Sequence, residues 1–121
     1  MKHLVFKEAV SIADNHEFIL KACAAQITKD LGLEMHWIPE NPKSVESIID
    51  ILNKRLEKLL FNSEGMIHQL LYTVDLDEEQ LYSQMNSGDH KSLSDLLSKL
   101  IVERELKKVI TRNVFSGKLK L

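Results

Sequence analysis

SVESIIDILNKRLEKLL, residues 44–60, is the stretch on which the reading of the fold turns. Val45, Ile48, Ile49, Leu52, Leu56, Leu59 and Leu60 recur at three- and four-residue spacing, which places them on one broad face of an α-helix. Ser44 stands where a helix N-cap belongs. Asp50 and Lys54 are an i,i+4 pair in the favourable order on the opposite side. Asn62 and Ser63 then interrupt the pattern.

Downstream, the spacing predicts a helix over Glu64–Thr73 with Ile67, Leu70 and Leu71 inward. Asp77-Glu78-Glu79-Gln80 is a cap followed three residues later by Gln, a capping-box variant. It opens a short helix carrying Leu81, Tyr82 and Met85, and Asn86-Ser87-Gly88-Asp89 is a turn. Ser92 or Ser94 begins a last helix that runs to about Phe115. Its apolar set is Leu93, Leu96, Leu97, Leu100, Ile101, Leu106, Val109, Ile110 and Val114, with Glu103 and Lys107 as a favourable pair. At about 1.5 Å per residue this helix is about 35 Å long, more than a compact bundle of this size needs. Residues 117–121 read as a frayed tail beyond a single domain over residues 1–116.

Upstream lies the least helical part, residues 33–43. Pro39 and Pro42 forbid a regular helix through them and favour extended backbone before them. Met35, Trp37 and Ile38 make this loop unusually apolar, and whether residues 35–38 pair as a short strand is left open. Before the loop, Leu20, Ala24, Ile27 and Leu31 repeat at a buried stripe's spacing, and Ala22, Ala24 and Ala25 keep that helix slim. Gly32 sits at its C-terminal cap. A first helical segment covers about Leu4–Ala13, and Asp14-Asn15 either breaks it or caps the next. The chain therefore reads as all-α: a helical bundle of four to five helices with an apolar, Pro-containing loop near residues 33–43.

Composition agrees. Of 121 residues, 44% are hydrophobic and 28% charged, ordinary values for a folded domain, and only 4 Gly and 2 Pro interrupt it. The net charge of −2 provides no general attraction for nucleic acid or anionic lipid. The single cysteine, Cys23, cannot form an internal disulfide, and the plain expectation is a soluble protein of the reducing cytoplasm. The apolar run after Met1 ends at Lys7, too short for a signal-peptide core, and no stretch approaches a membrane span.

Chemistry-bearing patterns are few. Neither Glu-x-x-His nor His-Glu-x-x-His occurs, and Glu64 with His68 supplies two ligands where zinc takes at least three from protein. The expectation is no metal and no cofactor. No scattered glycine forms a phosphate loop. Residues 25–38 have a helix-turn-helix spacing around Gly32, but the second helix would cross Pro39 and Pro42, and Glu34 and Glu40 would repel phosphates, so no nucleic-acid partner is expected. Cys23 lies in an Ala-rich stretch with no partner base and reads as a small core residue. His68-Gln69-Leu70 resembles the phospho-accepting segment of histidine phosphotransfer domains, helical bundles of about this length. That resemblance implies a phospho-accepting His68; the family's following Lys and small residue are here Leu71 and Tyr72.

Two features point to partners. Trp37 and Ile38 form an apolar loop tip able to anchor an interface or to fold back as a lid. Charge is also asymmetric: Arg104, Lys107, Lys108, Arg112, Lys118 and Lys120 stand against Glu105 alone, whereas acids dominate residues 64–89. This steers association with an acidic partner or another copy, or simply matches the helix dipoles. Apolar residues drifting around the last helix, above all Leu106, Val109 and Ile110, mark a homodimer seam. The sequence thus favours a protein-interaction or structural module, acting through a protein partner or self-association and with enzyme activity not indicated. The alternatives are a ligand-binding or enzymatic bundle with a pocket at His68, Tyr72 and Tyr82, and a degenerate phosphotransfer-like module.

Overall fold

The computed structural model describes residues 4–33, 37–38, 41–62, 69, 71–72, 76–86 and 92–121. Within them the helices α1 (Phe6–Asp14), α2 (Glu17–Leu31), α3 (Val45–Asn62), α4 (Glu78–Met85) and α5 (Leu93–Phe115) follow one another. Gln69, Leu71 and Tyr72 are also helical, and no described residue lies in a strand. The all-α reading is correct.

Helices α3, α4 and α5 begin where side chains satisfy free amides of the first turn. At α3 the two serines cap reciprocally: the Ser47 amide donates to Ser44 Oγ at 3.1 Å and the Ser44 amide to Ser47 Oγ at 3.3 Å. The Val45 amide donates to Asp14 Oδ1 at 2.8 Å, so the end of α1 caps the start of α3. Asp77 accepts from the Glu79 amide at 3.0 Å, and Ser92 from the Asp95 amide at 3.2 Å. The question left open at Asp14-Asn15 resolves as two helices. Asn15 turns its side-chain amide back to the Ser11 carbonyl at 2.8 Å, and His16 takes an extended backbone before α2.

α2 and α5 end alike, with glycines at φ +64° (Gly32) and +81° (Gly117). The Leu33 amide reaches the Thr28 carbonyl at 3.0 Å and Gly32 reaches Lys29 at 3.4 Å. At α5 the Lys118 amide reaches Asn113 at 2.9 Å and Gly117 reaches Val114 at 3.1 Å. This is the paired closure of a left-handed helix cap. It corrects the expectation of a frayed tail over residues 117–121. The reversed chain brings the Leu119 amide onto the Asn113 carbonyl at 3.0 Å and buries the Leu119 side chain in the core.

α5 is the central element. It packs most extensively on α3, then α2, then α1 and α4. Leu96, Leu97, Ile101, Val102, Leu106, Val109 and Ile110 are buried on it, meeting Val45, Ile48, Leu52 and Leu56 of α3, Ile19, Leu20, Cys23 and Ile27 of α2, and Ala9 and Ala13 of α1 in one core. A helix surrounded on several sides needs apolar residues on several sides, which accounts for their drift around α5. Burying each large aliphatic side chain stabilises the fold by roughly 1.5–3 kcal/mol.

Candidate functional site

The chemistry-bearing groups that the fold does bring together lie in the seam between α2 and α5. On α2, Cys23, Gln26, Ile27 and Asp30 recur at helical spacing on the side turned to α5. On α5, Glu105, Lys108 and Arg112 do the same in return. Lys108 Nζ donates to Asp30 Oδ2 at 3.3 Å, Gln26 Nε2 donates to Asp30 Oδ1 at 2.9 Å, and Arg112 Nη1 donates to Gln26 Oε1 at 3.1 Å. Inside this rim Glu105 is only 1% exposed. Its carboxyl is hydrogen-bonded to the Asp30 side chain, and its Oε2 finds no hydrogen-bond partner among the described residues.

The two carboxyls titrate apart, as neighbouring acids do. Burial, then the hydrogen bond with Asp30 and the Asp30 charge, push Glu105 up to about 7, against the smaller pull of Lys108 and Arg104. Asp30 moves the other way. Its partial burial opposes ionisation, but hydrogen bonds from Glu105, Lys108 and Gln26 outweigh that and hold it below the usual range. Below neutrality Asp30 is therefore the carboxylate and Glu105 the acid that keeps its proton. Cys23 beside them is fully buried; burial first, and the Glu105 charge second, push its thiol up to about 12. A thiol held protonated is no nucleophile, in keeping with the reading of Cys23 as a core residue.

This pairing was missed in the sequence, where Glu105 counts only as the lone acid of a basic stretch. The signal was there: Glu105 stands between Ile101, Val102, Leu106 and Val109, all buried, where an unpartnered charge is costly.

The residues expected to act lie elsewhere. Trp37 is 7% exposed and its indole N–H donates to Thr28 Oγ1, which in turn donates to the Ala24 carbonyl at 2.8 Å. Ile38 is half-buried against the core. This corrects the loop-tip anchor: Trp37 is folded back as a lid, because its ring fills core space and its one donor is satisfied. Leu106, Val109 and Ile110 are likewise corrected as a homodimer seam, since they are buried within the single chain. Tyr72 is 90% and Tyr82 52% exposed. His68, the third member of that pocket and the residue of the phosphotransfer resemblance, lies outside the described residues, as do Glu64, Met35 and Pro39.

Two open grooves are lined by described residues. One, of about 430 Å³, lies between Asn15, Glu17, Leu20, Pro42 and Lys43; the other, of about 200 Å³, lies between Leu76, Gln80, Leu100 and Lys107. Tyr72 and Tyr82 line neither. Among the described residues no three His, Cys, Asp or Glu side chains converge as metal ligands, and no helix is long and apolar enough to cross a membrane. Of the basic stretch, Lys107 pairs with Glu103 at 2.8 Å and Lys108 with Asp30, while Lys118 and Lys120 are exposed, as is Phe115 at 81%. Comparison of the chain with protein-family models, with curated proteins and with solved structures gives no match.

Proposed function

We propose that this chain is a protein-interaction module that engages a protein partner through aromatic side chains at its surface. The observation that carries the reading is the division of its large apolar residues. Most of the aliphatic ones, with Trp37, close around α5, while Tyr72 and Phe115 stand 90% and 81% in solvent, further out than the exposed aliphatics Val5 (50%) and Leu121 (67%). Aromatic side chains combine large contact area with few rotamers and are the usual anchors of protein interfaces. Phe115 lies in the last turn of α5 with Arg112 before it and Lys118 and Lys120 after it, all exposed. Exposed cations flanking Phe115 in the sequence favour a partner with an acidic rim.

The test is retention of a partner from the native cells. Tagged wild-type protein is expected to hold a stoichiometric protein that Phe115→Ser combined with Tyr72→Ser releases, with an unchanged circular dichroism spectrum, because neither side chain supports the core. Identical co-purifying species from wild type and double variant, or none from either, would overturn the reading.

A further inference from the structure

We propose that Glu105 and Asp30 form a proton-controlled latch between α2 and α5: one proton held between the two carboxyls keeps the helices together, and its loss frees the C-terminal half of α2. The geometry carries this. Glu105 is 1% exposed at the seam, its Oε2 has no hydrogen-bond partner among the described residues, and the Asp30 carboxyl stands against it. With the proton present, Glu105 donates to Asp30 and the seam contains one negative charge, answered by Lys108 at 3.3 Å and Gln26 at 2.9 Å. When the Glu105 O–H bond breaks and its proton passes to water, two carboxylates face each other where only one has donors. Opening the seam to water is the available relief.

The groups that bear on Glu105 are Asp30 and Cys23 from α2 and Lys108 and Arg104 from its own helix. Among the described residues α1, α3 and α4 present no charged group that contributes to its titration. Lys108 does not cancel the second charge, since it already serves Asp30 and its side chain is 44% exposed, where water screens it. Asp30 occupies the last turn of α2, just before the Gly32 cap, and Thr28 in that turn holds Trp37. A loosened last turn therefore also releases the lid. Local opening of a helix end is the least costly form of unfolding available to a packed bundle.

The experiment is hydrogen exchange on the whole chain at pH 5.5 and 8.5, with each amide corrected for its intrinsic rate. For amides of residues 26–33 the protection factor of wild type is expected to fall on the order of tenfold or more between the two, while α3 amides fall much less. Glu105→Gln, which still donates to Asp30 but has no proton to lose, is expected to show a flat profile. Equal pH profiles in wild type and Glu105→Gln would overturn the proposal. Should the variant not fold, carbon-detected titration of the Glu105 carboxyl in wild type decides. A midpoint near neutrality that moves together with the residue 26–33 amides supports the latch. A midpoint in the ordinary carboxylate range overturns it.

Discussion

Glu105 differs from the other acids of this chain through its surroundings and not its chemistry. Fixed among Ile101, Leu106 and Val109, it has more to gain from staying neutral than from ionising, and Asp30 gives its proton an acceptor. Stability follows with a definite sign. Glu105 binds its proton more tightly folded (about 7) than unfolded (4.5), so its contribution is complete below pH 4.5, declines as pH rises toward 7, and is lost above it. Asp30, lowered from 3.8, acts oppositely, and its contribution is lost as pH falls below the ordinary carboxylate range. Urea unfolding is expected to show wild type less stable at pH 8 than at pH 5 by on the order of 2 kcal/mol, with that difference mostly absent in Glu105→Gln. A wild type as level as the variant between pH 5 and pH 8 would show Glu105 to be ionised in the fold.

At the scale of the element, the closing turn of α5 has the clearest consequence. No atom stands within 4 Å of a Cβ built on Gly117, so Gly117→Ala is opposed only by the backbone, at φ +81°, a cost of about 1 kcal/mol. Leu119→Ala empties a core position that is 3% exposed, with an expected cost of about 2 kcal/mol or more. Leu121→Ala, on an exposed residue, is expected to leave the melting temperature unchanged; equal melting temperatures for the Leu119 and Leu121 variants would show that the tail is not anchored. The cap explains what the sequence made legible here and what it did not. Gly32 was readable as a terminator because an apolar stripe stops just before it. Gly117 carries the same message, but the short polar stretch after it hid the single apolar residue that matters, Leu119. Ser44 was readable as a cap, whereas its reciprocal partner was Ser47 in place of the usual Glu or Gln.

The architecture of the whole molecule follows from α5 lying at the centre. Helix class and order were legible because the periodicity of residues 44–60 and 93–115 survives any packing. Which surfaces meet was not, because an apolar arc looks the same in sequence whether a neighbouring helix or a second chain covers it. For that reason Leu106, Val109 and Ile110 pointed toward a dimer and proved to be core, and Trp37, readable as an anchor or as a lid, proved to be the lid. The α2–α5 seam was illegible for a related reason: Asp30 and Lys108 are 78 positions apart, and no local spacing announces their contact. The central claim, that α5 closes the core of a single chain, is tested most directly by circular dichroism and light scattering on Leu106→Glu combined with Ile110→Glu. Two carboxylates forced into a dry core without partners are expected to abolish cooperative folding. A fully helical, cooperatively melting protein with the mass of one chain would contradict it and return those residues to the surface.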